Sequence, residues 1–279
     1  MRLAVSNLAL PGSAGPAEWR ALAAAGVRGI EVAPTRLAPW EELTPARLAA
    51  FREELAGAGL AIPAIQAIFY GVEGLSLLGP APAFAALRGQ LARAAGIGAA
   101  MGAGVAVFGA PCQRARGGLG AGAAFALGAE RLRLLAETAF AEGVRIGLEP
   151  VPAAYGNDFL ASWQEVLAMV RAVDHPGLAV HLDTACVMLG GGDIAEAVRA
   201  CAPWLAHVHA AEPQLGPFEA PVAPHAEALA ALRAADYGGW VAIEMLEAGE
   251  APLAAVLRAV RVLCGAGGAG AFEGPAARA

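Results

Sequence analysis

The chain contains no lysine; all 19 of its basic residues are arginine. That absence excludes Schiff-base aldol chemistry, lysine-anchored pyridoxal phosphate and a phosphate-binding P-loop, each of which needs the ε-amino group. Cysteine is scarce and scattered. Cys112, Cys186, Cys201 and Cys264 form no close pair at metal or redox spacing. Basic charge is concentrated nowhere, and the net charge is −6. The basic stripe that displaces counterions from nucleic-acid phosphates is therefore missing. No apolar run reaches the ~18 uninterrupted residues that span a membrane. Met1-Arg2-Leu3-Ala4-Val5 lacks a secretory signal pattern and reads directly as a strand. Together these absences point to a reduced, cytoplasmic setting, with no nucleic-acid partner and no membrane.

What is present is apolar and periodic. Hydrophobic residues make up 57% of the 279 positions, enough for a sizeable core. Short apolar runs at 2–8, 28–33, 61–68, 104–109, 144–149, 178–183, 205–209 and 240–244 read as buried parallel strands. Helix-like segments separate them. Pro16 opens the first, Thr44-Pro45 caps the second, and others cover about 82–100, 123–142, 161–173 and 224–236. Asn157 or Asp158 can cap the fifth, one more starts at Asp193, and the last runs from Pro252 to about Cys264. Eight strands alternating with eight helices predict one α/β domain, a single (β/α)8 TIM barrel over 1–264, since such barrels take ~250 residues. Residues 265–279, rich in Gly and Ala, are expected to form a disordered tail.

Four successive strands end on a residue that can bind a metal: Glu149, Asp183, His209 and Glu244, spaced by 34, 26 and 35 residues. One strand-plus-helix unit of a barrel takes about 30 residues, so the four fall one per unit, and strand ends converge on the face that carries the active site. A lone Glu at a strand end is more often a loop-facing charge, and a lone buried His more often a hydrogen-bonded core residue. Four in register are another matter, because buried like-charged carboxylates are costly unless a cation neutralises them. Two Glu, one Asp and one His form a hard donor set that suits Mn²⁺, Co²⁺ or Mg²⁺, ahead of Zn²⁺.

Other polar residues lie toward the same end. Asn7 closes the first strand, and Gln66 lies in the third. Glu31 sits inside an apolar run, facing either the pocket or a wet strand edge. Arg114, in the loop after strand four, could hold a substrate hydroxyl or phosphate. His207 and His181 share faces with His209 and Asp183 one layer deeper and read as structural. His225 could reach the pocket from the loop after strand seven.

The segments Ser6-Asn-Leu, Ile30-Glu-Val-Ala-Pro-Thr-Arg36, Val107-Phe-Gly-Ala-Pro111, Leu148-Glu-Pro150, His181-Leu-Asp-Thr184, His207-Val-His-Ala-Ala-Glu-Pro213 and Tyr237-Gly-Gly-Trp-Val-Ala-Ile-Glu244 resemble the xylose isomerase-like TIM barrels. More narrowly, they are similar to the sugar phosphate isomerase/epimerase group, with its ketose 3-epimerases and inosose isomerases and dehydratases. The resemblance covers about 2–262. It implies that Glu149, Asp183, His209 and Glu244 hold a divalent metal and that Glu149 and Glu244 act as the acid/base pair. Glu212 keeps the carboxylate of the family's strand-seven motif. The substrate-binding shell departs from the pattern: Cys186 stands in place of a histidine, Leu215 in place of an arginine, and Tyr155 in place of a carboxylate. Substrate-binding candidates are thus Asn7, Glu31, Gln66, Arg114, Cys186, Glu212 and His225.

The resulting expectation is an enzyme of carbohydrate metabolism, a divalent-metal-dependent isomerase or epimerase acting on a sugar-like hydroxy-carbonyl compound. Glu149 and Glu244 would move a proton through a metal-stabilised enediolate. A dehydratase on the same site and a non-catalytic metal- or sugar-binding barrel are the alternatives. Phosphodiester cleavage of the endonuclease IV kind uses many more histidines than the five present. The resemblance also allows a homo-oligomer.

Overall fold

The computed structural model describes residues 1–249, 251–268 and 270–272. Eight parallel strands run β1 (Arg2–Ser6), β2 (Gly29–Glu31), β3 (Ala64–Ile65), β4 (Val105–Phe108), β5 (Arg145–Leu148), β6 (Leu178–Asp183), β7 (Leu205–Ala211) and β8 (Trp240–Glu244). Their order is β2-β1-β8-β7-β6-β5-β4-β3. Parallel bridges Gly29↔Ala61 and Val32↔Ile65 join the two ends of that order and close the ring. The helices outside it are α1 (Pro16–Ala24), α2 (Pro45–Gly57), α3 (Ala81–Met101), α4 (Ala121–Ala141), α5 (Trp163–Val173), α6 (Thr184–Leu189), α7 (Ile194–Cys201), α8 (His225–Ala234) and α9 (Pro252–Gly267). This is the (β/α)8 barrel that the alternation of elements predicts. Among the described residues, no helix is long and apolar enough to cross a membrane.

Local chemistry sets most boundaries. Pro16 and Pro45 occupy first helical positions, where a missing N–H is harmless. Thr44 accepts the Arg47 N–H at 3.3 Å, and Asp193 accepts that of Glu196 at 2.8 Å. α3 ends at Gly102, whose φ of 87° suits glycine. The strands are Val-, Ile- and Leu-rich because helices cover one face and the barrel interior the other. Val5, Ile30, Ile146, Val180 and Ile243 are accordingly all fully buried.

Four expectations are corrected. The third strand shrinks from 61–68 to two residues, because Pro63 has no N–H to give and Ala67 turns to φ 52°. A ninth helix, α6, follows β6 directly; Asp183 caps it by accepting the Cys186 N–H at 2.6 Å. α5 is capped by Ser162 in a reciprocal box with Glu165, not by Asn157 or Asp158. The Asn157 amide is buried and donates instead to the carbonyls of Val151 (2.6 Å) and Phe159 (2.8 Å). Lastly, α9 runs past Cys264 to Gly267, and Ala271 is buried. The rest of the expected tail, at 269 and 273–279, lies outside the described residues.

Gly177 shows how tightly α4 lies against β6. A Cβ there would stand 2.3 Å from the Ala136 carbonyl oxygen and 2.9 Å from its carbon. Main chain cannot swing aside as a side chain can. Gly177→Ala is expected to destabilise by on the order of 3 kcal/mol, the upper end for overpacking. Urea unfolding would show this as a lower midpoint at unchanged slope.

Candidate metal centre

Parallel strands deliver their C-terminal ends to one face of a barrel. β5, β6, β7 and β8 are consecutive neighbours, so Glu149, Asp183, His209 and Glu244 meet there. Asp183 pairs in register with His209. His209 pairs with Ala242, and Glu244 lies two residues further along the same face of β8. His209 Nδ1 is 3.0 Å from Glu244 Oε2 and 3.9 Å from Asp183 Oδ2. The ligand atoms of Asp183, His209 and Glu244 lie within 4.8 Å of one another. Glu149 shares such a radius with Asp183 and Cys186, and also with His181 and His209.

These groups are buried, Asp183 and His209 to 1% exposure and Glu149 to 9%. Burial, then the Asp183 charge, pushes the Glu149 carboxyl up to about 8. Burial, then Glu244, pushes Asp183 up to about 6. At His209 burial opposes the charge, but the Glu31 and Glu244 carboxylates outweigh it and hold the imidazole well above its usual range. Among the described residues His209 Nδ1 makes no regular hydrogen bond, although Glu244 Oε2 lies 3.0 Å away. An orphaned imidazole nitrogen facing crowded, proton-hungry carboxylates is a donor set that fits a divalent cation.

Beneath this cluster lies a polar floor. Glu31 is fully buried in the barrel interior, at neither the open cleft nor a wet edge. Its Oε2 is 3.0 Å from Nε2 of both His207 and His209. Burial would raise its pKa, yet the two imidazoles hold it well below the carboxylate range. His181 stacks on His207 and meets His209 edge-on at 4.1 Å. Its Nε2 lies 3.7 Å from Glu149 Oε1, which brings it closer to the cluster than a purely structural reading implies.

Above the cluster opens a cleft of about 530 Å³ floored by Glu149, His209, Glu244 and Gln66. Gln66 Nε2 donates to Glu244 Oε1 at 2.6 Å. Leu8, Ile68, Val72 and Leu215 supply apolar wall, and Tyr70 stands 70% exposed at the mouth. Another concavity, of about 590 Å³, opens at the other end of the strands between Arg2, Arg145 and Trp240, and none of the candidate ligands line it.

The remaining candidates divide. The Cys186 thiol reaches the cluster and is pushed far up, by burial first and then by Asp183. Arg114 is fully buried against Glu149, donating to its carbonyl at 2.8 Å, and does not line the cleft. Burial lowers Arg114 to about 10, with Glu149 opposing. Asn7, Glu212 and His225 are engaged elsewhere. Asn7 Oδ1 accepts the Ala33 N–H at 2.8 Å, tying the end of β1 to the turn after β2. Glu212 accepts the Val222 N–H at 2.8 Å and meets His225 Nε2 at 2.6 Å. His225 stacks on Phe218, so the pair pins the loop between β7 and α8.

Sequence reasoning gave no role to Gly109, which entered only as part of Val107-Phe-Gly-Ala-Pro111, directly after β4. A Cβ there would lie 2.2 Å from Glu149 Oε2.

A family model described as xylose isomerase-like TIM barrel matches residues 19–264. No curated protein matches the chain in sequence. Solved structures share its fold. A D-psicose 3-epimerase from Clostridium cellulolyticum H10, with D-tagatose, superposes with TM-score 0.77 at 18% identity, covering 94% of this chain and 97% of its own. The 3-keto-D-glucoside 4-epimerase of E. coli gives 0.74 at 18%, covering 94% and 98%. The probable 3-DHS dehydratase of Bacillus anthracis involved in petrobactin synthesis gives 0.74 at 17%, also covering 94% and 98%.

Two outcomes are expected. Glu149 and Asp183 carry pKa values raised by folding, so they favour the metal-free fold at low pH and lose that contribution as pH rises through about 6 and then about 8. A cation that neutralises them should therefore raise the thermal midpoint more at pH 8 than at pH 6. Calorimetry with and without Mn²⁺ across that range would measure the gap. Gly109→Ala should displace the Glu149 carboxylate and weaken Mn²⁺ binding about tenfold or more. Its metal-free melting midpoint should stay close to that of the unmodified protein, because a side-chain end can move where main chain cannot.

Proposed function

The chain belongs to the xylose isomerase-like TIM barrel family, and from that premise we propose that it is a divalent-cation-dependent isomerase or epimerase of an uncharged, sugar-like hydroxy-carbonyl compound. One observation carries the reading: Glu149 and Glu244 share the floor of a single cleft with His209, and Asp183 brings a ligand atom within 4.8 Å of each. Two carboxylates on either side of a cation position are what proton transfer beside a carbonyl requires. The epimerases that share this fold act, by their names, on ketoses and keto-glycosides.

Asp183, His209, Glu149 and Glu244 would hold the cation. When bound, a divalent cation supplies Lewis acidity to a carbonyl oxygen and its neighbouring hydroxyl. One of Glu149 and Glu244 takes the proton from the hydroxyl-bearing carbon beside the carbonyl, and the other returns it. Return to the opposite face epimerises; return to the adjacent carbon isomerises. Gln66 fixes Glu244 by occupying Oε1, leaving Oε2 toward His209 and the centre. The lining explains the uncharged substrate. Among the described residues no arginine lines this cleft, whereas Glu73, Glu149 and Glu244 do. A phosphorylated sugar would bring its phosphate to carboxylates with no guanidinium to receive it.

Loss of a β-hydroxyl from the same arrangement is the second reading, favoured by the fold shared with the 3-DHS dehydratase.

The test is exchange of substrate carbon-bound hydrogen for solvent deuterium, with ketoses and inososes as probes and Mn²⁺, Co²⁺ or Mg²⁺ added. Glu149→Gln and Glu244→Gln should each slow exchange by ~10²–10⁴-fold, the usual contribution of a general acid or base. Elemental analysis should find about one cation per chain, lost or weakened in His209→Ala. Exchange at the unmodified rate in both glutamine variants, or a protein that binds none of these ions, would overturn the proposal. Water loss without exchange into recovered substrate would select the dehydratase.

A further inference from the structure

The metal reading uses one nitrogen of His209 and leaves Glu31 and His207 without a role. Glu31 crosses the barrel interior from β2, and a single oxygen, Oε2, lies 3.0 Å from Nε2 of His207 and of His209. All three side chains are buried to 1% exposure or less. Resting on the cation reading above, we propose that Glu31 is a positioning residue that holds His209 in the tautomer able to ligate metal through Nδ1.

The argument is one of hydrogen inventory. A carboxylate oxygen accepts and does not donate, so both imidazoles must present N–H at Nε2. A histidine that ligates a metal is neutral and keeps a single N–H. With hydrogen fixed at Nε2, His209 Nδ1 carries a lone pair, and it is this atom that faces Glu244 at 3.0 Å and Asp183 at 3.9 Å. Among the described residues Nδ1 is also the His209 nitrogen that makes no regular hydrogen bond. Metal-ligating histidines commonly donate their other ring N–H to a carboxylate, which fixes the ring and raises its basicity.

His207 completes the device. It lies two residues before His209 on the same face of β7, and its own N–H goes to the same oxygen. Glu31 is thereby held from two sides and cannot turn to follow His209 alone. The cluster could instead be read as a second ion site, since Glu31, His207 and His209 bring ligand atoms within 4.8 Å. Contacts of 3.0 Å from one oxygen to two ring nitrogens are ordinary hydrogen-bond lengths, and they favour protons over an ion there.

The experiment is ¹⁵N NMR of the histidine rings in full-length protein loaded with Zn²⁺, a diamagnetic probe, combined with zinc titration of Glu31→Gln. The expected spectrum shows hydrogen on Nε2 of both His207 and His209, with zinc at Nδ1 of His209, at one zinc per chain. In Glu31→Gln a neutral amide replaces the carboxylate, and zinc should bind ~10–100-fold more weakly. The metal-free form of the variant should keep its circular dichroism and cooperative unfolding, which separates positioning from a general structural role. Unchanged zinc affinity in Glu31→Gln would overturn the proposal while leaving the cation reading intact. Hydrogen on Nδ1 of His209, zinc on its Nε2, or two zinc ions per chain would also overturn it. These readings come from the unmodified protein and decide the matter even if the variant fails to fold. Absence of zinc binding by the unmodified protein would instead remove the cation reading and this inference together.

Discussion

The structure depends on reconciling like charges in an apolar barrel. Glu31, Glu149, Asp183 and Glu244 gather where β2, β5, β6 and β8 end, behind walls of Val, Ile and Leu. Two like unit charges 4 Å apart repel by about 4 kcal/mol at the effective dielectric of a protein near its surface, and by more where water is absent. Without relief, a barrel of marginal stability could not hold four. The relief is layered. His207 and His209 hydrogen-bond to Glu31 below, and His209 turns its other nitrogen to Glu244 and Asp183 above. Glu149 and Asp183, left with carboxylate neighbours, respond by holding protons more tightly. A site that binds protons above their ordinary range is one where a divalent cation has most to displace and most to stabilise.

The fold places these charges through register. Because the strands are parallel and adjacent, one residue per strand reaches the same depth, and the two-residue period of a strand sets the layers. His207 and His209 are successive inward positions of β7, and His181 and Asp183 are the same pair on β6. One layer faces the cleft and the other faces Glu31. Small residues make the room: Gly109 stands where any side chain would collide with Glu149. The polar groups around the rim serve the loops. Asn7 ties β1 to the turn after β2, and Glu212 and His225 pin the β7–α8 loop. The functional face is thereby carried on fixed connections.

Much of this was legible in the sequence, and the failures have physical causes. β6 and β8 have the bounds that their apolar runs predict, Leu178–Asp183 and Trp240–Glu244. The meeting of Glu149, Asp183, His209 and Glu244 could be read from spacing because a barrel repeats at a nearly constant length. Glu31 could not be placed, since its partners lie 176 and 178 residues away and its strand gives no sign of which face looks inward. α6 was hidden because Asp183 is both a candidate ligand and the cap of the helix that follows, with no turn between. Glu212 and His225 looked like pocket residues because a carboxylate and an imidazole in loops suggest chemistry; only tertiary contact shows them bonded to each other and to main chain.

At the rim of the cleft, Tyr155 and Leu215 are physically linked. Gln214 and Leu215 both have positive φ, 57° and 54°. Side chains seldom adopt that backbone, and it persists only where surrounding contacts over-determine it. Those contacts are present. The Tyr155 hydroxyl accepts the Gln214 N–H at 2.7 Å, and the Leu215 carbonyl accepts the Leu246 N–H at 2.9 Å. The loop is thus clamped between the segments that follow β5 and β8, the strands that bring in Glu149 and Glu244. Its effect is to set Leu215 on the cleft wall. Tyr155 and Leu215 therefore act as one unit, a phenol fixing a strained loop that presents an aliphatic side chain. A wall built at the expense of backbone strain, without charge, offers no cationic side chain at that end of the cleft.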